Sequence, residues 1–417
     1  MNKENLLFEQ EFIPIILGAS IGVYSTARSF HEAYGVISIS VCRYLTGQIN
    51  HSEIIVPIVE SNMEDEEVLL ECLNKITQTY ANTPKMIIGS DEWHIEMIVN
   101  LRDKLDNSWI IPYTDKNKLQ RVIDKTNFYD LCDELDVDYP KYISLENKQL
   151  LNNNLPFPFP VVVKPTSRVL YESLKFTGKM KVFTAHDREE LDGIISLLRD
   201  AGYNENLVIQ EYVPGDDTAM HILTLYIGQD GQTKLASFGQ TLLEDHTPGG
   251  IGNPLAIRTF RNDEVIKQAE KITKYVGYVG FANFDLKYDV RDGKYKFFEL
   301  NPRLGRSNYY LTAAGNNPTC YYVSEYVNHE DLKYTVAEKE ALYSIVPKRL
   351  LLSYVKDKNL KSRIKELYKK RLVKNPLFYF SVEKNLKRLF YVVVSTLNYY
   401  RKFKKYPPTS GRINKSS

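Results

Sequence analysis

The chain has 417 residues, enough for two or three domains. Its hydrophobic fraction of 43% and charged fraction of 25% are ordinary for a globular protein, which excludes a wholly disordered chain. The net charge of +2 hides an asymmetry, because residues 348–417 hold 20 Lys and Arg against three acids, whereas residues 1–347 hold the other 34 basic and 49 acidic residues. Net charges of +17 and −15 predict a change of role near residue 347.

Two classes of protein are not indicated by the sequence. No stretch contains the roughly 20 consecutive apolar residues of a membrane-spanning helix. The apolar run at 12–18 is too short for a signal peptide, so we expect a cytoplasmic protein. The cysteines form no C-x-x-C pair, which favours free buried thiols over disulfides or a zinc site; they are Cys42, Cys72, Cys132 and Cys320.

The first third of the chain alternates strand-like and helix-like segments. Strands are predicted at 12–20, 36–42, 85–90 and 109–112, and helices from a Ser20 cap to Tyr34 and over 91–105. This alternation predicts a mostly parallel α/β sheet. Ligands of such sheets bind beyond the carboxyl ends of the strands, where Gly18 and Gly89 lie, although both glycines could simply make tight turns.

The middle of the chain predicts a helix over 118–135, a buried strand over 161–165, a helix over 187–201 and a strand over 207–213. Hairpins are predicted at Asp230-Gly231 and Asp292-Gly293. Lys164 ends a buried strand, where its ammonium would be costly without an anion. Lys125 is predicted on an amphipathic helix, where the pattern alone favours a solvated side chain over a phosphate-binding one.

The second hairpin carries the chemistry. If its loop has three residues, 291–293, Asp285 pairs opposite Glu299 and Asn283 opposite Asn301, which places both acids on one face. Two carboxylates and an amide oxygen suit Mg²⁺. The alternative is a surface hairpin with solvated acids, but the phenylalanines at 281, 284, 297 and 298 indicate burial.

Residues 115–345, approximately, resemble the ATP-grasp superfamily of carboxylate–amine ligases. In chain order, the residues that carry the resemblance are Lys125, the strand ending at Lys164, residues 210–217, Asp285 and the E-x-N-x-R motif at 299–303. More specifically, the chain resembles the D-aspartate ligases of Gram-positive bacteria almost end to end. The segments that carry this similarity are 11–15, 27–30, 32–35, 214–217, 242–245, 280–285, 305–307 and 403–406.

The resemblance implies ATP between two antiparallel lobes and Mg²⁺, with two ions expected and Mn²⁺ as a substitute. It implies Lys125 and Lys164 on the phosphates, Glu211 and Val213 at adenine, Asp217 at ribose, Asp285, Glu299 and Asn301 on the metal, and Arg303 as a catalytic cation with Lys164. We expect Arg306 to bind the non-reacting carboxylate of an amino acid, with a structural salt bridge as the alternative; Arg28 is a weaker candidate for this role. Many relatives carry an arginine where this chain has Asn283, so Arg258 is a further candidate for phosphoryl contacts.

The implied reaction activates the β-carboxylate of D-aspartate as an acyl phosphate, which the ε-amine of a stem-peptide lysine in a peptidoglycan precursor then attacks. Acyl phosphates hydrolyse, so residues 167–178 and 246–252 are candidate lids. Two alternatives stay open: a ligase for another amino acid or peptide pair, and a non-catalytic basic adaptor for a membrane or a nucleic acid.

The predicted organisation is an N-terminal α/β domain at 1–114, an ATP-grasp domain at 115–347 with lobes at about 140–212 and 213–347, and a basic helical extension at 348–417. Basic and aromatic residues at 384–406 suit the anionic inner leaflet of a membrane. Packing of the extension on the acidic body is favoured over this membrane contact, and binding to a nucleic acid is the least favoured alternative.

Overall fold

The computed structural model describes residues 3–147, 151, 154–180 and 182–408. Three sheets organise this part of the chain, with five, four and eight strands. Helices cover the sheets, which confirms the predicted mixed α/β fold.

The N-terminal sheet is parallel, with strand order β3-β2-β1-β4-β5. Its strands are β1 (Ile13–Leu17), β2 (Ser38–Cys42), β3 (Ile55–Val59), β4 (Lys85–Gly89) and β5 (Trp109–Ile110). The accompanying helices are α1 (Lys3–Leu7), α2 (Ile21–Tyr34), α3 (Glu66–Thr79) and α4 (Glu92–Leu101). The sequence pattern predicted neither β3 nor α3. Gly18 has a φ of +105°, and a Cβ on Gly89 would lie 2.8 Å from that of His94, so tight packing explains both glycines.

The helix predicted over 118–135 is two helices, α5 (Lys116–Ile123) and α6 (Lys125–Glu134). Asp124 leaves the helical conformation, with a ψ of 126°, and its carboxylate accepts the backbone N–H of Asn127 to cap α6. The prediction of one helix was therefore wrong, because apolar spacing continues across a break that a single aspartate creates.

The four-stranded sheet is antiparallel, in the order β6-β9-β7-β8. Its strands are β6 (Tyr142–Leu145), β7 (Val161–Pro165), β8 (Phe183–Ala185) and β9 (Leu207–Glu211), and its helices are α7 (Arg168–Ser173) and α8 (Arg188–Asp200). The two helices pack with these strands around a core of their own. The candidate lid at 167–178 contains α7.

The eight-stranded sheet follows the order β14-β13-β10-β11-β12-β16-β17, with β15 paired to β11. Its strands are β10 (Met220–Ile227), β11 (Thr233–Glu244), β12 (Pro254–Thr259), β13 (Gly280–Asp289), β14 (Lys294–Asn301), β15 (Thr335–Val336), β16 (Leu342–Ser344) and β17 (Val373–Lys374). Its helices are α9 (Asp263–Val276), α10 (Tyr309–Ala313) and α11 (Pro318–Tyr326). Strand β17 comes from the predicted extension, so that segment contributes an edge of this sheet.

The extension also forms α12 (Lys348–Tyr354), α13 (Lys358–Lys369) and α14 (Leu386–Lys405), and it packs on the body. Arg388 and Glu383 form a fully buried ion pair of 3.2 Å. Glu383 accepts hydrogen bonds from Tyr24 and Ser52, and Arg388 lies 4.1 Å from the centroid of the Tyr24 ring. One face of α14 therefore packs on the body, which was one of the three roles considered for the extension. In the part of the chain that the structure describes, no helix is long and apolar enough to cross a membrane.

All four cysteines are free. Cys42, Cys72 and Cys132 are buried, as expected, whereas Cys320 is only half-buried.

Candidate active site

The β13–β14 hairpin has the register that the metal hypothesis needs. Asp285 pairs with Glu299 and Asn283 with Asn301, as predicted. The predicted three-residue loop is wrong, because the strands end at Asp289 and Lys294 and leave a four-residue turn. A β-bulge at Phe298 supplies the compensating residue, so both acids still share one face.

The two acids and the asparagine converge. The Asn301 amide nitrogen lies 3.3 Å from Asp285 Oδ2 and 3.5 Å from Glu299 Oε1. Burial, followed by the charge of Glu299, raises the pKa of Asp285 well above its ordinary range. Among the described residues no group of three or more His, Cys, Asp or Glu side chains could hold a metal ion, so a metal here would need the amide as its third ligand.

This donor set fits Mg²⁺. Burial and, after it, the charge of Glu299 disfavour a second negative charge on Asp285, and a divalent ion bound between the two carboxylates would offset both effects. A half-turn of the Asn301 amide would present its oxygen in place of its nitrogen, because the two ends are nearly equal in shape.

Arg303 connects the hairpin to the N-terminal sheet. Its Nη2 lies 3.3 Å from Asn301 Oδ1 and 3.0 Å from Glu92 Oε1, and Glu92 is the first residue of α4. The Nε of Arg303 is buried and has no hydrogen-bond partner among the described residues. This guanidinium therefore presents unused donor capacity directly beside the two acids.

The two lysines predicted to bind phosphate lie on elements that both contact Gln210. Lys164 donates to Gln210 Oε1 over 3.1 Å, and its ammonium lies 5.2 Å from the ring centroid of Phe298. Lys125 is the first residue of α6. One turn later, Tyr129 donates to the same Gln210 oxygen over 3.0 Å. Lys164 thus faces the bulged hairpin, and Lys125 lies on the helix that contacts the same glutamine.

Residues 211–213, at the end of β9 and directly after it, are the segment predicted to bind adenine, and we call them the hinge. The side chain of Glu211 already has hydrogen-bond and ion-pair partners. The Glu211 carboxylate accepts the backbone N–H of Lys141 over 2.9 Å and pairs with Arg291 over 3.0 Å. Val213 is buried. A base bound at this hinge would therefore meet the backbone of residues 211–213 and not the Glu211 carboxylate.

Asp217 contacts the loop after β11. It accepts the backbone N–H of Glu244 over 2.9 Å and lies 2.9 Å from His246 Nε2. Burial lowers the pKa of His246, but the hydrogen bond and charge of Asp217 outweigh burial and raise it. The His246 ring lies 6.2 Å from that of Phe403 in α14, so the candidate lid at 246–252 also contacts the extension.

Lys287 is a site residue that the sequence interpretation missed. It follows Asp285 by two residues on β13 and so shares its face of the sheet. Its ammonium lies 5.3 Å from the ring centroid of Tyr212 in the hinge. Burial lowers its pKa, against the charges of Glu244 and Asp217. Strand alternation from Asp285 would have identified it.

Arg306 is half-buried and lies near Tyr343, Tyr391 and Tyr399. Burial raises the pKa of these three hydroxyl groups, and the positive charge of Arg306 opposes that rise. No carboxylate among the described residues lies within salt-bridge distance of its guanidinium, so the alternative of a structural salt bridge has no partner there. Arg28, the second candidate, instead donates to the carbonyls of residues 375 and 376 and so holds the extension in place.

The departure at Asn283 has a structural use. Asn283 is buried and accepts from Thr224 Oγ1 over 2.8 Å, and that hydroxyl in turn accepts from Tyr310 over 2.8 Å. Arg258 pairs with Glu340 over 3.4 Å and lies over the ring of Phe260. The Nε of Arg258, like that of Arg303, is buried and has no hydrogen-bond partner among the described residues, so Arg258 stays a candidate for phosphoryl contacts.

Comparisons with known proteins identify relatives of the chain. Residues 256–315 match the family model of the carbamoyl-phosphate synthase L chain, ATP binding domain. The chain is 33% identical to a D-aspartate ligase of Enterococcus faecium (strain Aus0004) over 414 residues, which covers 96% of this chain and 98% of the relative.

Solved structures share the fold. An N5-carboxyaminoimidazole synthetase from Staphylococcus aureus in complex with ADP has a TM-score of 0.56 and 15% identity, covering 78% of this chain and 80% of that one. An L-amino acid ligase from Bacillus licheniformis has a TM-score of 0.52 and 14% identity, covering 74% and 72%. At such identities the likeness shows the fold alone.

Proposed function

The chain belongs to the D-aspartate ligase family of ATP-grasp enzymes, and from this premise we propose that it joins the β-carboxylate of D-aspartate to the ε-amine of a stem-peptide lysine. As an ATP-dependent ligase it forms carbon–nitrogen bonds, which sets aside the non-catalytic adaptor. The observation that carries the proposal is the convergence of Asp285, Glu299 and Asn301 beside Arg303.

A carboxylate has no group that an amine can expel, so it must first be phosphorylated. An oxygen of the β-carboxylate attacks the γ-phosphorus of ATP, the bond to the bridging oxygen breaks, and ADP leaves with that electron pair. The neutral amine then attacks the acyl carbon, loses a proton, and expels inorganic phosphate as the amide forms. Positioning and charge neutralisation supply most of the acceleration in such transfers.

Each site residue has a role in this scheme. Asp285, Glu299 and Asn301 would hold Mg²⁺, as one or two ions or with Mn²⁺ in its place; bound there, the metal neutralises phosphate charge. Arg303 faces the acids with a free Nε and stabilises the phosphoryl group in transfer. Lys164 and Lys125 bind the phosphates from the other side of the cleft.

The remaining assignments concern the nucleoside and the amino acid. The backbone at Glu211 and Val213 binds adenine, and Asp217 binds the ribose hydroxyls. Arg306, a half-buried guanidinium without a described carboxylate partner, binds the non-reacting carboxylate of the amino acid, for which an arginine offers a bidentate fork. The reaction takes place in the cytoplasm, where ATP and the precursor are available, and residues 384–406 contact the anionic inner leaflet.

ADP release tests the proposal. Purified protein with ATP and Mg²⁺ is assayed against single D- and L-amino acids, each with and without a lysine-containing stem peptide. We expect release with D-aspartate plus the peptide, and an amide product by mass spectrometry. Release with a different amino acid would favour the other ligase that the sequence left open, and release with no amino acid would contradict both.

Two variants with a matched control locate the chemistry. Asp285→Asn should abolish ADP release, whereas Asp292→Asn, in the exposed turn of the same hairpin, should leave it unchanged. Arg306→Lys should raise the KM for the amino acid and spare that for ATP. An unchanged amino-acid KM would remove Arg306 from the site.

A further inference from the structure

The outer face of α14 carries a row of exposed apolar side chains, which we call the α14 stripe. Its members are Leu386, Phe390, Val393, Val394, Leu397 and Tyr400, with exposed fractions between 41% and 80%. Their spacing places them along one side of the helix. The opposite side holds Arg388, Val392 and Phe403, which are buried against the body. Apolar side chains thus lie on both sides of the helix, and among the described residues only those on one side are covered by the rest of the chain.

The stripe is held firmly toward solvent. Asn385 caps the start of α14 by accepting the backbone N–H groups of Lys387 and Arg388. The buried pair of Arg388 with Glu383 fixes the same end, and Phe403 packs 5.0 Å from the ring of Tyr354 at the other. A helix of 20 residues extends over about 30 Å, so the row is long for an unpartnered apolar surface.

Charge indicates what covers the stripe. Five cations are exposed near its two ends: Lys384, Lys387, Arg401, Lys404 and Lys405. The sequence has no acid from residue 384 to residue 408. Two copies packed stripe to stripe would bring these cations together and repel each other, whereas an anionic surface complements them.

Aromatic side chains extend the apolar surface beyond the helix. Phe378 and Phe380 stack with their centroids 5.3 Å apart and are both exposed. Lys384 donates to the carbonyl of Phe380 over 2.7 Å, so this pair lies beside the start of the stripe. Aromatic rings next to lysines suit the headgroup region of a bilayer.

We propose that the α14 stripe docks the protein on an anionic lipid bilayer. The helix lies in the plane of the interface, its apolar side chains enter the acyl boundary, and the flanking cations stay at the headgroups. This identifies the surface that makes the membrane contact in the proposed function. It does not depend on the ligase reaction, because vesicle binding is measured without substrates.

Co-sedimentation with vesicles tests the proposal. The full chain should bind vesicles of phosphatidylcholine mixed with phosphatidylglycerol. Its binding to vesicles of pure phosphatidylcholine should be weaker by about tenfold or more. The triple variant Leu386→Ser/Phe390→Ser/Leu397→Ser should lose binding by about tenfold or more. The control Phe8→Ser/Val59→Ser/Val290→Ser removes comparably exposed apolar side chains elsewhere and should bind as the wild type does.

Three outcomes would overturn the proposal. The wild type does not sediment with anionic vesicles, or the stripe variant binds them as the wild type does. In the third, ultracentrifugation shows a wild-type dimer that the stripe variant converts to a monomer, which would mean that a second copy covers the stripe. Unchanged circular dichroism and an unchanged shift of Tm with ADP would show that each variant is folded.

Discussion

Replacing Asp285 with asparagine should stabilise the protein in the absence of metal while abolishing its activity. The Asn301 nitrogen is 3.3 Å from Asp285 Oδ2 and 3.5 Å from Glu299 Oε1, so these two oxygens lie at most 6.8 Å apart, the sum of both distances. Two unit charges at that separation repel by about 2.4 kcal/mol at an effective dielectric constant of about 20. Proton uptake by Asp285 relieves part of this cost.

We therefore expect Asp285→Asn to raise the free energy of unfolding by about 1–2 kcal/mol, which raises the Tm of a domain of this size by about 2–8 °C. Mg²⁺ with ADP should raise the Tm of the wild type and have much less effect on the variant, because the variant has lost a metal ligand. Differential scanning fluorimetry with and without EDTA measures both effects.

Asp289 provides the matched control, because it lies on the same strand and face. It pairs with Arg291 over 2.6 Å, and that bond holds the pKa of Asp289 below its ordinary value. Asp289→Asn should therefore lower the Tm. If Asp285→Asn also lowered the metal-free Tm, or kept the full response to Mg²⁺ and ADP, the two acids would not form a shared metal site.

Three further predictions concern Lys287, Glu383 and His246. Lys287→Met should raise the KM for ATP by about tenfold, because a cation is lost beside the hinge. Lys294→Met, on the same hairpin but exposed, is the control. Equal KM values for the two variants would exclude Lys287 from the nucleotide site. Glu383→Gln leaves Arg388 buried without its charge partner and should destabilise the segment that carries α14 by about 3–5 kcal/mol. Amide hydrogen exchange in that segment should become faster. Unchanged exchange would contradict a stabilising role for the pair of Glu383 and Arg388. His246 has a raised pKa, so its pairing with Asp217 is complete below about pH 6.5 and is lost as the pH rises through the folded-state pKa. Exchange in residues 245–253 should therefore accelerate with pH beyond its intrinsic dependence, and His246→Asn should remove that excess.

The hairpin shows how far a sequence pattern can go. The sequence analysis placed Asp285 opposite Glu299 on the condition of a three-residue loop, and the structure has that pairing without that loop. The loop length was wrong, because the bulge at Phe298 cancels the extra turn residue, and a bulge in an apolar run leaves no compositional mark. The register was right because burial of one face constrains it more strongly than the turn does.

Contacts between distant segments were the part that the sequence could not supply. Glu92 meets Arg303 because the start of α4 lies beside the end of β14, and His246 meets Asp217 because β10 and β11 pair. No periodicity within one segment carries that information. The extension shows the same limit. Packing on the acidic body was among the predicted alternatives, but the composition did not identify the buried pair of Arg388 and Glu383 or its partners near Tyr24 and Ser52.

Transfer of oxygen-18 tests the central claim most directly. D-Aspartate labelled with oxygen-18 in its β-carboxylate is turned over with ATP, Mg²⁺ and the stem peptide, and the released phosphate is analysed by mass spectrometry. Activation as an acyl phosphate predicts that each phosphate carries one labelled oxygen from the amino acid. Phosphate without label, formed alongside the amide product, would contradict the account.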